Sequence, residues 1–295
     1  MGQPSILVID GNRAATREQQ VAAGGQPSGE GYAQVLKSLA AVSCDIVRPA
    51  DGEVRFAAGG GLAGYDGVAI TGSALNVYEG GAHIERQIEL ARATFAAGVP
   101  FFGSCWGLQV AVSAAGGCVR RNPLGREFGF ARRIELEDAG RRHGMFRGKP
   151  PVFEAITVHR DDIEQLPAGA VVLASNDMGL QAIELRHGAG TFWGVQYHPE
   201  YSFAEIAATA LRYGAALIEE GLFADRAELE VFVNDLRTLM RDPRDPRLTW
   251  KHGLGEGLQQ DSCRLVELRN WLELQVLPYA RQREGAAARR GFDAP

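Results

Sequence analysis

The chain has 295 residues, 45% hydrophobic and 23% charged, the balance of a folded globular protein with apolar matter enough for a sizeable core. A formal net charge of −5 gives no broad basic field, which argues against nucleic acid as a partner. No apolar run reaches the roughly 18 residues of a membrane span. The first residues hold no basic segment leading into an apolar signal core, and Ile6 stands where N-myristoylation wants Ser or Thr, so a cytoplasmic address is expected. Cys44, Cys105, Cys118 and Cys263 are scattered, without a CxxC pair or histidines at zinc spacing. Neither a disulfide framework nor a metal site is expected, and a buried inert thiol is the default reading for each cysteine.

Ser5–Asp10 (SILVID) is an apolar run that stops at Gly11-Asn12 and predicts a buried first strand. Tyr32–Ala41 predicts a helix, and Cys44–Arg48 a second strand before the turn at Pro49–Gly52. Tyr65–Thr71 predicts a third strand ending at Gly72-Ser73. Ala82–Ala97 carries Ile84, Ile88 and Ala91 at helical spacing, with Gly98 as its stop. Val99–Gly103 follows as a fourth strand and Leu108–Ala115 as the helix behind it. Strands alternating with helices imply an α/β fold, its mostly parallel sheet covered on both faces. Gly59–Gly64 spells G-x-G-x-x-G, but no helix opens behind it, so it reads as a loop rather than a dinucleotide site.

From about residue 126 to 175, short strand-like runs between turns predict antiparallel additions at a sheet edge. Gly190–Tyr197 returns to a clear strand, and Ser202–Glu220 reads as a long helix. Composition shifts after Gly221. Glu228–Met240 has an apolar stripe at Leu229, Phe232, Leu236 and Leu239, broken by Asp242–Pro246 (DPRDP). Asp261 or Ser262 is then placed to cap a helix through Leu265, Leu268, Leu272 and Val276, and the last dozen residues read as disordered.

Cys105 lies in GSCWGLQ, between an apolar strand and a helix of small residues. So tight a strand-to-helix turn strains its central residue and lifts the side chain into a cleft, while flanking glycines let the two elements approach. The helix N-terminus, with free N–H groups and partial positive charge, favours the reactive thiolate. His198-Pro199-Glu200 stands at the end of the strand Trp193–Tyr197. Residues two apart in extended chain point the same way, so Glu200 can orient His198 while His198 handles the Cys105 proton. Alone, His198 would read as a strand terminus. Paired with Cys105 at the same end of a parallel sheet, where such sheets place their ligands, it reads as catalytic.

GSCWGLQ followed by GVQYHPE resembles the class I glutamine amidotransferase family, whose motifs are G-x-C-x-G-x-Q and a strand-end H-P-E. Ile70–Tyr78 (ITGSALNVY) resembles that family's oxyanion strand, and Arg126–Gly129 (REFG) with Thr157–Ile163 (TVHRDDI) its middle section, as in the amidotransferase domain of GMP synthetase. The resemblance spans roughly residues 5–220 and implies a flavodoxin-like amidotransferase domain over residues 1–222, with residues 223–295 as a C-terminal helical extension. It implies that Cys105 attacks a γ-carbonyl, that His198 protonates the leaving amine and then activates water, and that Glu200 holds His198. It implies further an oxyanion hole at Gly72, Ser73 and the Trp106 N–H, such contacts being worth about 3–4 kcal/mol each in a transition state. Gln109 and main chain at Val158 and His159 are expected at the substrate's amino-acid end.

Ser73-Ala74 replaces the family's Gly-Pro, Ser104 stands where an aliphatic residue is usual, and Arg160 where glycine is common. No catalytic atom is lost, but the substrate is left open. No phosphate-binding or pyrophosphatase loop is present, so the chain carries nothing to activate an ammonia acceptor, and no cofactor is expected. Three functions follow. The chain is a glutaminase that delivers ammonia to a separate synthase subunit, or a stand-alone hydrolase of a γ-glutamyl amide other than glutamine, or a silent binding module. The intact Cys105, His198 and Glu200 argue against the last. The stripes of the extension predict packing on the domain or a homo-oligomer contact, with a lid over Cys105 or a partner dock as the functional reading.

Overall fold

A computed structural model describes residues 2–292. The chain opens with β1 (Ser5–Ile9), α1 (Ala14–Ala22), α2 (Ser28–Leu39), β2 (Ser43–Val47), β3 (Gly67–Ile70), α3 (Ala82–Ala97), β4 (Phe101–Ser104) and α4 (Trp106–Ala114). Its middle forms β5 (Cys118–Arg121), β6 (Glu127–Leu136), α5 (Asp138–Arg141), β7 (Val152–His159), β8 (Asp161–Gln165), β9 (Ala170–Asn176), β10 (Gly179–His187) and β11 (Gly190–Val195). The rest is helical: α6 (Phe203–Glu219), α7 (Arg226–Arg241), α8 (Pro246–His252), α9 (Glu256–Gln259), α10 (Asp261–Arg264), α11 (Val266–Trp271) and α12 (Leu277–Phe292). A π-helical turn over Leu272–Val276 joins the last two.

Nine strands share one sheet, in the order β2-β1-β3-β4-β11-β10-β9-β6-β7. The first five are parallel neighbours, and β10, β9, β6 and β7 extend them antiparallel at one edge, as the middle of the sequence predicts. β5 and β8 pair separately. Strands β1, β3 and β4 read as unbroken apolar runs because helices cover both of their faces. Their alternate residues feed two cores. Leu7, Ile9, Val68, Ile70 and Phe101 pack with α3 and α4, whereas Ile6, Val8, Ala69 and Phe102 pack with Tyr32 and Leu36 of α2.

The extension completes that second face. Leu265, Leu268, Trp271, Leu272 and Val276 lie in the same core as Ile6, Val8 and Phe102, with the Trp271 and Phe102 rings 5.7 Å apart. A Cβ at Gly67 would meet Val276 at 2.9 Å, so only glycine lets β3 and this helix approach so closely. α7 packs instead on α6, through Leu229, Val233 and Leu236. The stripes thus found their surface on the sheet face and on α6.

Three local expectations are corrected. Asp261 is the first residue of α10 rather than its cap, and its carboxylate instead accepts from Arg264 at 2.7 Å. The chain stays helical through Phe292, against the expected disorder, while residues 293–295 lie outside the described residues. α1 has no counterpart in the expected elements, because it has no apolar stripe: its buried residue is Gln20, which donates to Thr209 Oγ1 and Glu205 Oε2 at 3.2 Å each.

Candidate active site

Three adjacent parallel strands, β3, β4 and β11, end on one edge of the sheet, and the segment after each supplies one part of the site. Behind β4 the chain reverses at Cys105, whose φ of 51° and ψ of −102° are strained for a residue with a side chain. The turn depends on its glycines. A Cβ at Gly103 would lie 2.6 Å from the Gly107 carbonyl carbon, and one at Gly107 would lie 2.5 Å from Ile70 O. Cys105 N donates to Val195 O at 2.7 Å, which ties the elbow to β11. The thiol is 5% exposed and sits 3.6 Å from Val158 O. Trp106, as the first residue of α4, keeps a main-chain N–H without an intrahelical acceptor.

Past β11 the chain reaches His198, whose N donates to Ile156 O at 2.8 Å. Its Nδ1 lies 2.8 Å from Glu200 Oε1, and its ring stacks on Tyr201 with centroids 4.0 Å apart. His198 and Glu200 are both buried, and His198 Nε2 has no fixed partner among the described residues. Burial alone would push the imidazole's pKa down. The Glu200 carboxylate and the adjacent Cys105 thiol outweigh it and raise the pKa to about 10. The shift favours the protonated, positively charged form of the ring.

After β3, Thr71–Ala74 passes in front of the elbow, pinned by residues that follow β1. Asn12 Oδ1 accepts from Ala74 N at 3.0 Å, its Nδ2 donates to Gly72 O at 3.2 Å, and Ser73 Oγ donates to Gly11 O at 2.9 Å. Ser73 thus has a side-chain tether that the usual glycine could not make. The Trp106 ring is buried, its Nε1 donating to Gln87 Oε1 at 2.7 Å.

Ser73, Cys105, Gln109, Val158 and His159 line one cavity of about 110 Å³; Gly72 and Trp106, chain neighbours of Ser73 and Cys105, do not line it. His198 and Glu200 do not line it; His198 is buried next to the Cys105 thiol. The His159 ring is occupied elsewhere, 2.9 Å from Glu127 Oε2 and 3.1 Å from Asp161 O, and its main chain pairs with Glu127 in the β6–β7 ladder. The far wall is charged. Tyr78 OH donates to Asp161 Oδ1 at 3.0 Å, and burial together with that carboxylate pushes the phenol up to about 12. Arg126 is bound to Glu220 at 2.6 Å, and Arg160 lies 3.6 Å from Glu220 with its buried Nε unpartnered among the described residues. Among the described residues none after Tyr213 lines this cavity, so the described part of the extension forms no lid over Cys105.

Asn12 and Gln87 were not among the expected site residues. Asn12 had a usable signal, an amide at the end of a strand on the Cys105 edge; a glutamine inside a helix had none.

A family model described as glutamine amidotransferase class-I matches residues 32–214. The chain belongs to this family. A γ-glutamyl-L-1-hydroxyisopropylamide hydrolase of Pseudomonas sp is 34% identical over 284 residues, covering 95% of this chain and 96% of the relative. A GMP synthase of Streptomyces coelicolor is 31% identical over 175 residues, 55% of this chain but only 31% of the synthase. A glutamine amidotransferase of Thermotoga maritima superposes with a TM-score of 0.59 at 20% identity, covering 94% of this chain and 99% of that one, and shows that the amidotransferase fold is shared. Among the described residues no helix is long and apolar enough to cross a membrane.

Proposed function

We propose that this chain is a stand-alone hydrolase of a γ-glutamyl amide whose leaving group is a small amine larger than ammonia. The observation that carries this reading is the end-to-end alignment with the Pseudomonas hydrolase, which includes the extension, against partial alignment with the synthase. The findings favour this reading over ammonia delivery to a synthase partner.

The geometry supports a two-step acyl transfer. The Cys105 thiolate attacks the γ-carbonyl, and the oxyanion that forms takes hydrogen bonds from the main-chain N–H groups of Ser73 and Trp106. His198 gives its Nε2 proton to the departing amine, which leaves a γ-glutamyl thioester on Cys105. The neutral imidazole then takes a proton from water, whose oxygen attacks the thioester and releases glutamate and the thiolate. Glu200 fixes the ring through Nδ1 and stabilises its charged form. Gln109, Arg160 and Asp161 stand where polar parts of the substrate would meet the cavity.

A panel of γ-glutamyl amides assayed on the isolated full chain tests this. The kcat/KM for a γ-glutamyl hydroxyalkylamide is expected to exceed that for glutamine by roughly 100-fold. Preference for glutamine, with turnover that rises when a synthase is added, would instead establish the partnered glutaminase.

A further inference from the structure

Glu200 reaches His198 with one carboxylate oxygen, and its other, Oε2, is buried without a partner among the described residues. Among the described residues no side chain other than His198 hydrogen-bonds that carboxylate, so its direction is set largely by the main chain on either side. That main chain is anchored from outside the family-matched region, which ends at residue 214.

Arg264, in α10 of the extension, is only 8% exposed, and its Nη1 donates to the carbonyl oxygens of both Pro199 and Tyr201, the residues that flank Glu200. Its Nη2 binds Asp261 at 2.7 Å, which fixes the fork. Within the same turn Tyr201 N donates to His198 O at 3.2 Å, so three consecutive needs of the strand-end turn are met by one internal bond and one cation. Glu267 holds the residue just before His198. Its Oε1 accepts from Tyr197 OH at 2.5 Å, and the carboxylate is paired with the buried Lys149 at 2.8 Å.

We propose that Arg264, seconded by Glu267, is a positioning residue for the His198–Glu200 pair, and that the extension is in this way part of the catalytic unit. The proposal rests on the reading of Cys105, His198 and Glu200 as the reacting groups. A planar guanidinium, with its donors in a fixed fork, spans two carbonyls and a carboxylate at once; an ammonium on a flexible stem does not hold that geometry. With Arg264 gone, the Pro199 and Tyr201 carbonyls lose their donor and Glu200 is free to swing off Nδ1.

The test uses the full-length protein and the variants Arg264→Ala, Arg264→Lys and Glu267→Gln, with kcat and KM for the preferred γ-glutamyl amide measured across pH. For Arg264→Ala we expect kcat to fall about 10- to 100-fold with KM changed less than about threefold, the scale of a misplaced catalytic group. The alkaline limb of its profile should move to lower pH, although the groups that face His198 (Glu200, Cys105 and Tyr201) are unaltered. Guanidinium ion at millimolar concentration should restore part of the rate. Arg264→Lys, which keeps charge and most of the volume, should show a milder fall with the same limb shift, and it carries the test if Arg264→Ala does not fold. Wild-type kcat and limb in a variant that has only lost thermal stability would reduce Arg264 to a structural strut. Labelling of wild-type Cys105 by a γ-glutamyl electrophile is run alongside: its failure would undo the active-site reading, whereas normal labelling with unmoved variants would undo only the role given to Arg264.

Discussion

A Cβ at residue 72 would lie 2.4 Å from His198 Cε1, so the imidazole rests directly on the main chain of Gly72. The proposed oxyanion segment and the proposed proton-transfer group therefore share one boundary. Gly72→Ala should displace the ring from the thiol and lower kcat by about 100-fold, since a shift near 1 Å can cost that much. A thermal melt on the same sample should show that most of the fold persists; unchanged kcat would mean that the ring does not depend on this contact.

Cys105→Ala should abolish amide hydrolysis. A γ-glutamyl diazo-ketone should modify Cys105 and spare the other thiols, as peptide mapping by mass spectrometry would show. Burial pushes Cys44 up to about 11, which favours its protonated form. Labelling at any other cysteine in preference to Cys105 would overturn the assignment.

Glu200→Gln removes the largest influence that raises the His198 pKa, while burial remains and pushes it down. The expected result is a folded enzyme with some residual rate, in which the titration of His198 moves from about 10 toward or below its ordinary value. NMR titration of the ring, or the alkaline limb of kcat, reads this directly. A limb that does not move would leave Glu200 as a strand-end carboxylate only.

Glu184 gives a stability prediction in acid. A hydrogen bond from His143, against opposing burial, with further help from the charge of His143 and from Arg186 and Trp193, holds its carboxyl down to about 2. A carboxyl depressed in the folded state adds stability above its unfolded pKa and loses it as the proton is forced on. That contribution should be complete above pH 4.5 and fade as the pH falls toward 2. Glu184→Gln should therefore lower the melting temperature at pH 7 and flatten its fall between those limits; parallel acid profiles would contradict it.

Deleting everything after Asp225 should not yield a folded core with a new substrate preference, which is what a lid would have given. It strips Leu265, Trp271, Leu272 and Val276 from the face made by Ile6, Val8 and Phe102, and insoluble protein is expected. The milder Trp271→Ala should destabilise by about 3–5 kcal/mol, as for other large buried aromatics. A soluble, cooperatively melting truncation would show that the extension is dispensable to the core.

Most of the strand-and-helix order was legible because buried parallel strands announce themselves as apolar runs, and Ala82–Ala97 has both its stripe and its glycine stop. The Cys105 turn was legible for a steric reason: two glycines were needed for β4 and α4 to approach. The place of the extension was not. An amphipathic stripe says that a surface is required but not which one, and Leu7 and Ile9 on one face of β1 look no different in sequence from Ile6 and Val8 on the other. Arg264 was invisible for a related reason, because its partners are carbonyl oxygens, which every residue has. α1 went unread because it is held by Gln20 rather than by a hydrophobic seam.

Leu265–Val276 covers the sheet yet follows all of its strands in the chain. A ribosome-bound chain that has already extended past Glu200 thus holds every described strand of the main sheet and the proposed reacting groups, but leaves Ile6, Val8 and Phe102 exposed to water. During translation that interval is when the chain is most prone to self-association, and chaperone protection would matter most until Leu265–Val276 has emerged.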